Sequence, residues 1–438
     1  MSDITSVANP NDSTMSMEER DKGIQQVLTT WNLAGAMSSV ELLRLLAVAF
    51  KRATSQRPKL QSLVLLDLPP EILHLILDNE DETVARLFGA TCRYLRNISQ
   101  SYIFRNRNLT VHREFIDWTH AQTLGNEETI PYFNNTLERA RNIVLQRADM
   151  IQNRPDIQKS VLHLTVHQNW NLFCMGHTSF SATFFTPIYK AVCETLPLLT
   201  SLRVLKMKNW VITIDLLHQL RFLTCLHTLE IKYCSSNLSL PIQAPQLASV
   251  LNVYFSFFFR VDMSSWIIIS ICPSIQNLSM VASDEENALP EISLPPPDIE
   301  ATVNPFRTLR KLVVTYRDLD EVQTLTSSMR AARLQSSSGQ IPLTHLKIGI
   351  EDGIYSGAMF DLIDTLSGSS LECLVLTGVI NTEPDLLDRI ARALPNLLEL
   401  TLIGYTAVEM GSTEWTQNVL DYAPYFSLFR RLRLFRME

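Results

Sequence analysis

Two histidines and a cysteine–histidine pair are the residues of this chain whose types and spacing could support metal binding or catalysis. His163 and His167 stand four residues apart, and Cys174 and His177 share the segment FCMGHTSF. On a β-strand, four residues span about 13 Å, which is too far for two imidazoles to share a metal ion. Cys174 and His177 could serve an enzyme as thiol nucleophile and base, but residues so close in a chain are seldom arranged that way.

Other catalytic signatures are missing from the sequence. It contains no Gly-rich phosphate loop, no His-Glu-x-x-His and no Gly-x-Ser-x-Gly. The seven cysteines are odd in number and scattered, with no Cys-x-x-Cys, which favours neither a disulfide framework nor a zinc site. We therefore expect a chain that is not an enzyme and needs no cofactor or metal. An enzyme with an unfamiliar site stays open, and it would show a deep polar pocket with strongly shifted pKa values.

Composition restricts the setting in which the protein works. The 438 residues are 46% hydrophobic and 19% charged, yet no uncharged apolar run reaches the roughly 18 residues of a membrane span. Residues 1–23 are polar and acidic, unlike a signal or transit peptide, and predict a disordered leader of a cytoplasmic or nuclear protein. The formal charge of −7 argues against bulk binding to nucleic acid or anionic membrane.

A repeated pattern, apolar-x-x-Leu-x-apolar, dominates the second half of the chain. Its spacing is irregular, between 21 and 41 residues from one centre to the next. The Leu-x-apolar pair is typical of a short strand with one buried face, and amphipathic helical stretches such as 383–394 lie between the units. The predicted centres are Leu164, Leu205, Leu229, Val250, Leu278, Leu312, Leu346, Leu374, Leu400 and Leu432.

This pattern resembles the leucine-rich repeat, in an irregular variety that lacks the usual Asn after the strand. The resemblance implies an α/β solenoid, a curved parallel β-sheet with helices on its outer side. An ordinary doubly wound α/β domain also alternates strands and helices, but it gives no reason for the same leucine spacing to recur ten times.

The concave face of such a sheet would carry the residues on either side of each central leucine. Lysine and arginine outnumber glutamate seven to two there, although the whole chain is acidic. This predicts a preference for an acidic or phosphorylated protein partner, with His167, Lys208 and Lys232 in one row; ordinary solvated strand residues are the alternative. The titratable set is His163, His167, Lys206, Lys208, Glu230, Lys232, Lys311, His345, Lys347, Glu399, Arg431 and Arg433. From it, His167, Lys206, Lys208, Lys232, Lys311 and Lys347 are the predicted substrate-binding residues.

A second signal is the apolar helix that follows two prolines in LDLPPEILHLILD, 66–78. Pro70 suits the first helical turn and Glu71 complements the helix dipole. A further helix is predicted over 84–98. About forty residues are too few to bury this much apolar surface within themselves, so the surplus face should meet another molecule.

This segment resembles an F-box. The match comprises Leu68, Pro69, Glu71, Ile72, Leu73, Ile76, Leu77, Ala85, Phe88, Ala90, Cys92, Arg93, Leu95, Ile103 and Phe104. Glu80 and Val84 depart from the family pattern, which has a Leu and a helix-capping Asp at these places. The resemblance implies binding to the Skp-type adaptor of cullin-RING ubiquitin ligases. The implied adaptor-binding residues are Leu68, Pro69, Glu71, Ile72, Ile76, Leu77 and Phe88. The alternative is a helix pair that merely caps the repeat domain.

We therefore predict a short all-α F-box helical module followed by an irregular leucine-rich-repeat solenoid. The predicted segments are 1–23 as leader, 24–61 as amphipathic helices, 62–108 as the F-box-like module, 109–157 as connecting helices and 158–438 as the solenoid. The predicted function is a noncatalytic substrate receptor of an SCF-type ligase with no nucleic-acid or membrane partner. The alternative is a repeat scaffold unrelated to ubiquitin.

Overall fold

The computed structural model describes residues 66, 68–111, 126–168, 185–236, 238, 245–257, 260–261, 263–282, 291–292, 304–316, 319–380, 384–405 and 419–437. The chain divides into two compact units, the first ending at Ile103 and the second beginning at Phe104. The predicted leader 1–23, the helices 24–61 and the pair Cys174 and His177 lie outside the described residues.

The described part of the first unit is helical. Helix α1 (Pro70–Asp78) has a proline in its first turn, where the missing N–H leaves no hydrogen bond unmade. Glu71 in the same turn complements the positive end of the helix dipole. Leu73 and Leu77 are the buried residues of this helix, so α1 contributes a narrow stripe to the core.

The predicted single helix over 84–98 is wrong, because two helices occupy this stretch. They are α2 (Glu82–Thr91) and α3 (Arg93–Ile103). Between them Cys92 is extended, with φ −155° and ψ 167°. Neither proline nor glycine marks the break, so apolar spacing alone could not reveal it.

Helices α2 and α3 pack closely through a glycine. A Cβ atom on Gly89 would come within 2.8 Å of Ser99 Oγ, and Arg96 Nε donates a hydrogen bond to the Gly89 carbonyl at 3.0 Å. The N-cap of α2 is Asp81, whose carboxylate accepts from the Val84 N–H at 3.0 Å. A capping aspartate is therefore present, three residues before the place where the family pattern has one.

The second unit is built on a parallel sheet. The strands are β1 (Asn106–Val111), β2 (His163–Gln168), β3 (Val204–Lys208), β4 (Val211–Ile212), β5 (Thr228–Lys232), β6 (Ser235–Ser236), β7 (Asn252–Phe257), β8 (Arg260–Val261), β9 (Asn277–Ala282), β10 (Glu291–Ile292), β11 (Lys311–Tyr316), β12 (His345–Ile354), β13 (Cys373–Val379), β14 (Glu399–Gly404) and β15 (Leu434–Met437). In the described part of the chain, eleven of them form the large sheet in the order β1-β2-β3-β5-β7-β9-β11-β12-β13-β14-β15, and β4 pairs with β6 and β8 with β10 in two small sheets.

Each strand of the large sheet is joined to the next by the same hydrogen bonds. The Arg203 carbonyl, for example, accepts from the N–H groups of His227 and Thr228 at 2.9 and 3.0 Å. The equivalent carbonyl accepts the equivalent pair of N–H groups at all ten junctions between neighbouring strands. In the nine strands of this sheet from β2 to β14, the central residue and the residue two positions on are buried, as in Leu229 and Ile231. The second unit is thus a leucine-rich-repeat solenoid, and the predicted fold class of this unit is confirmed.

Two predicted centres are wrong by three residues. Val253, not Val250, is the register partner of Leu229, and Phe435, not Leu432, is the partner of Leu400. Val250 and Leu432 hold the upstream apolar position of their repeats, and the pattern fits at either place because apolar residues recur every three positions. With Val253 in place, the spacing from Leu205 to Leu278 becomes regular, at 24, 24 and 25 residues.

The sheet also begins one strand earlier than predicted. Strand β1 starts inside the range 62–108 assigned to the helical module, and its Arg107 is the register partner of Leu164. This repeat does not match the leucine pattern, because its central residue is an arginine. Leu109 and Val111 of β1 are buried in the solenoid core.

Helices cover one side of the sheet and close the core. In the stretch 383–394 the predicted apolar face is confirmed, because Leu386, Leu387, Ile390 and Leu394 are all buried. The helices of this unit are α4 (Asn126–Gln152), α5 (Pro155–Ser160), α6 (Thr186–Thr195), α7 (Ile214–Leu220), α8 (Met263–Ser270), α9 (Leu319–Gln335), α10 (Ser356–Leu366), α11 (Pro384–Ala393) and α12 (Val419–Phe426), with 3-10 turns at Leu196–Leu198 and Pro305–Arg307.

A partly buried cysteine occupies the position of the missing asparagine after β5. The leucine-rich-repeat pattern places Asn or Cys five residues after the central leucine, and Cys234 holds this position after Leu229. Its thiol lies 3.5 Å from the Met207 carbonyl oxygen of the preceding repeat and 3.4 Å from the Lys232 carbonyl oxygen. Burial raises the pKa of the Cys234 thiol to about 12, so the sulfur keeps its hydrogen.

Within the part of the chain that the structure describes, no helix has both the length and the apolar character needed to cross a membrane.

Candidate protein-interaction surfaces

The concave face consists of the strand residues that alternate with the buried ones. On β2 and β3, for instance, Thr165 and Lys206 face away from the core while Leu164 and Leu205 are buried between sheet and helices. Parallel register turns these alternate residues into rows that cross the sheet, with about 4.8 Å between strands.

The predicted row of His167, Lys208 and Lys232 exists in the structure. His167 is the register partner of Lys208, and Lys208 is the partner of Lys232. Lys206 lies in the neighbouring row, opposite Glu230. We call Lys206, Lys208 and Lys232 the lysine cluster.

Glu230 lies between two lysines of this cluster. Its Oε1 is 2.8 Å from Lys206 Nζ and its Oε2 is 3.9 Å from Lys232 Nζ. The Glu230 side chain is 18% exposed, while those of Lys206 and Lys232 are 47% and 46% exposed. The carboxylate therefore lies deeper than the ammonium groups, which stand nearer to solvent.

Lys208 has a different neighbour. Its ammonium nitrogen lies 5.5 Å from the centroid of the Tyr233 ring, a weak cation–π contact. Tyr233 follows β5 in the left-handed backbone region, with φ 55°, and its N–H donates to the Ser256 carbonyl at 2.8 Å. Among the described residues, no carboxylate lies within ion-pair distance of Lys208.

Positive charge also surrounds His163, at the edge of the same face. Partial burial lowers the pKa of the His163 imidazole, and the nearby charges of Arg105, Lys206 and Arg203 lower it further. The imidazole therefore favours its neutral form, and the potential around β2 and β3 is positive.

Lys311 and Lys347 do not join the lysine cluster. They lie on β11 and β12, and β7 and β9 separate them from Lys232 on β5. Three strand spacings separate Lys311 from Lys232 by about 14 Å across the sheet, and Lys311 also lies in a different row, the one that contains Thr228. The sequence prediction treated all six residues as one face, but the structure divides the lysines into two groups.

Arg431 and Arg433 are misplaced in the predicted concave set. Since Phe435 is the central residue of β15, both arginines come before the strand, and Arg436 holds the concave position next to the centre. At β7, the choice of Val250 as the centre left Tyr254 out of the predicted concave set. Tyr254 is the register partner of Glu230 and is 38% exposed. Correct assignment of Val253 would have placed this tyrosine on the face.

The second surface is on the helical module and is apolar. Leu87 is 64% exposed, and Leu75 and Tyr94 are also exposed. Of the predicted adaptor-binding residues, Pro69 and Glu71 are exposed, and Leu68, Ile72, Ile76 and Phe88 are half-buried. The signal for Leu75 and Leu87 was present in the sequence, because both belong to the surplus of apolar residues, although neither is in the matched family positions.

Leu77 does not fit its predicted role. It is 1% exposed and belongs to the core of the helical module, so it supports the fold of α1 and cannot contact a partner directly. It follows Leu73 by one helical turn, and these are the two positions of α1 that face inward. The prediction placed Leu77 in one interface with Ile72 and Ile76, whereas a helix must bury some of its apolar positions.

In the described ranges, no group of three or more His, Cys, Asp or Glu side chains is arranged to hold a metal ion. The shared use of one metal by His163 and His167 would require a turn between them, and both lie in the continuous strand β2.

Comparison with known proteins gives a structural likeness at low similarity. No family model matches the sequence, and no curated protein matches it. The TLR13–ssRNA13 complex is similar with a TM-score of 0.32 and 16% identity, over 67% of this chain and 42% of that one. An internalin (inlF) from Listeria monocytogenes is similar with a TM-score of 0.29 and 11% identity, over 64% of this chain and 81% of that one.

This chain thus spans less than half of the TLR13 chain that it matches. The assignment of the fold rests on the register, the hydrogen-bond ladder and the core described above. The expected lack of nucleic-acid partners stays a prediction from charge alone.

Proposed function

We propose that this chain is a noncatalytic substrate receptor of an SCF-type ubiquitin ligase, working in the cytoplasm or nucleus. The helical module would bind the Skp-type adaptor, which links it to the cullin-RING ligase, and the concave face of the solenoid would bind a protein substrate. The ubiquitin would be delivered by another subunit, so the chain itself needs no catalytic group.

The exposed apolar surface of the helical module carries the first half of this proposal. Three short helices bury Leu73, Leu77, Ala85 and Leu95 but leave Leu75, Leu87 and Tyr94 exposed. A module of this size gains stability when it buries such residues against a partner. Together with the F-box resemblance of 68–104, this surface supports an adaptor as the partner.

The open concave face supports the second half. It carries titratable side chains in rows across many strands, the arrangement expected of a surface that binds an extended or folded protein. The groups whose pKa is raised most, Tyr189, Cys234 and Cys272, owe the shift to burial. A thiol or phenol that burial keeps protonated is a poor nucleophile or base. These three groups therefore favour a binding protein over an enzyme.

A pull-down with purified Skp-type adaptor tests the proposal. The full chain would be compared with Leu68→Ala/Pro69→Ala/Ile76→Ala, and with Lys208→Gln as a control on the other surface. We expect the wild type and Lys208→Gln to capture the adaptor and the triple variant to lose it while keeping its circular dichroism spectrum. If the folded wild type captures no adaptor, the chain is a repeat scaffold unrelated to ubiquitin.

A further inference from the structure

The lysine cluster has more positive charge than its own acid can balance. Among the described residues, the ammonium groups of Lys206 and Lys232 pair with one carboxylate, that of Glu230, and no carboxylate pairs with Lys208. Glu230 is close to Lys206 at 2.8 Å and distant from Lys232 at 3.9 Å, and Lys208 contacts the Tyr233 ring. Two cationic groups in one row thus remain available to an anion.

The depth of Glu230 determines what an approaching ligand meets first. Its side chain is less than half as exposed as either lysine it contacts. An anion arriving from solvent therefore reaches the ammonium groups before it reaches the carboxylate oxygens of Glu230, which lie deeper. Glu230 also holds Lys206 in an ion pair and lowers the net positive charge of the cluster. A ligand with one negative charge therefore gains little binding energy there.

We propose that the lysine cluster binds a phosphoryl group on the substrate protein, with Lys208 and Lys232 donating to its oxygen atoms. A phosphoserine or phosphothreonine carries close to two negative charges and three acceptor oxygens. Lysines at register-paired positions of adjacent strands, about 4.8 Å apart in the backbone, can reach two oxygens of one such group. This inference rests on the proposed function, since it specifies the substrate of the concave face.

A single phosphoryl group fits the cluster better than a nucleic acid does. A nucleic-acid site needs a basic track that follows many phosphates. On the two strands beyond the cluster, the concave positions hold neutral residues, namely Asn252, Tyr254 and Ser256 on β7 and Asn277, Ser279 and Val281 on β9. The row of positive charge therefore ends at β5 on this side of the cluster, and the exposed Tyr254 beside Glu230 offers a contact for a side chain that flanks the modified residue.

Binding of a labelled peptide pool tests this proposal. The probes are a short fluorescein-labelled pool with a central phosphoserine and randomised flanks, and the same pool with serine, measured by fluorescence anisotropy on the full chain. We expect the phosphorylated pool to bind roughly tenfold more tightly. Lys208→Gln/Lys232→Gln should abolish the preference, whereas Lys190→Gln/Lys159→Gln, which removes two surface lysines from helices, should keep it. Equal binding of the two pools by the wild type would overturn the proposal.

Glu230 provides a test with the opposite sign. Glu230→Gln removes the competing carboxylate while keeping the shape of the side chain, so the phosphorylated pool should bind about threefold to tenfold more tightly. Loss of binding by Glu230→Gln would contradict the role given to this residue.

A short oligouridylate serves as the nucleic-acid probe. If it binds more tightly than the phosphorylated pool and depends on the same lysines, the site is a nucleic-acid site and the proposal is wrong. The adaptor pull-down uses residues of the other unit. Adaptor capture without phosphopeptide preference therefore rejects this inference alone, and loss of adaptor capture rejects the proposed function.

Discussion

The thiol of Cys234 lies 3.5 Å from the main-chain carbonyl oxygen of Met207, and so links two successive repeats at the end of their strands. An asparagine is the usual residue at this position of a leucine-rich repeat. We predict that Cys234→Asn retains the stability of the wild type to within about 1 kcal/mol. Cys234→Val, which cannot donate, should lose about 1–2 kcal/mol. Urea unfolding followed by circular dichroism measures both, and equal stability of Cys234→Val and wild type would show that the thiol contact contributes nothing.

Alkaline pH should lower the folding stability of the solenoid. Burial raises the pKa of Cys234, Cys272 and Tyr189 to about 12 in each case, from ordinary values of 9.0 for the thiols and 10.0 for the phenol. The folded chain therefore keeps protons that the unfolded chain releases. Stability from these groups is fully present below pH 9 and is lost as the pH rises toward 12.

Thermal melts at pH 8 and at about pH 10.5 check this dependence. On the order of 1–2 kcal/mol per buried thiol should be lost over this interval. The exposed Cys225 gives an internal comparison: a maleimide should modify it readily in the folded chain at pH 8, while Cys272 stays unmodified. A melting temperature unchanged between the two pH values would be evidence against buried thiols that must remain protonated.

Gly378 should tolerate no side chain. It adopts φ +86°, and a Cβ atom there would overlap the Ile350 carbonyl oxygen of the neighbouring strand. Gly378→Ala should therefore cost several kcal/mol, roughly 2–4, through backbone strain and displacement of β12. The matched control is Gly357→Ala at the start of α10, where a Cβ atom meets nothing within 4 Å; it should be neutral or stabilising by about 1 kcal/mol. Urea unfolding of both variants checks the contrast, and a stable Gly378→Ala would contradict the geometry of this turn.

Leu77 and Leu75 should separate stability from binding in the helical module. Leu77 is buried and Leu75 is exposed on the same helix. Leu77→Ala removes core packing worth about 2–5 kcal/mol, so hydrogen exchange of the amides in α1 should accelerate. Leu75→Ala should leave exchange unchanged and weaken adaptor binding. The reverse pattern of exchange in the two variants would mean that the packing of α1 is assigned incorrectly.

Much of the solenoid could be predicted from the sequence, because the repeat has a strong physical requirement. Leu205 and Leu229 each need an apolar neighbour two residues on, since strand side chains alternate between the two faces. Where the centre is not leucine, the pattern fails. Val253 and Phe435 were missed because an apolar residue three positions upstream fits equally well, and Arg107 was missed because it is not apolar.

The break at Cys92 could not be predicted, because local residue types give no signal for it. Nothing in the sequence around Cys92 forbids a continuous helix, and the close approach of Gly89 to Ser99, which requires α3 to fold back on α2, is a tertiary contact.

The arrangement of the candidate site in rows could be predicted from the sequence, but the depths of its side chains could not. The row of His167, Lys208 and Lys232 follows from register alone once the centres of β2, β3 and β5 are right. The different depths of Glu230 and the lysines depend on side-chain conformation. The distance from Lys232 to Lys311 depends on the number of strands between them. Sequence spacing does not contain either quantity.

Isothermal titration calorimetry of the purified Skp-type adaptor into the full chain tests the central claim most directly. Measured at several temperatures, wild type should bind with a stoichiometry of one and a negative heat-capacity change, because apolar residues such as Leu87 and Leu75 become buried. Leu68→Ala/Pro69→Ala/Ile76→Ala should show no binding heat while remaining folded. If the folded wild type itself gives no binding heat at any temperature, the helical module does not engage a ubiquitin ligase, and the account of this protein as a substrate receptor is contradicted.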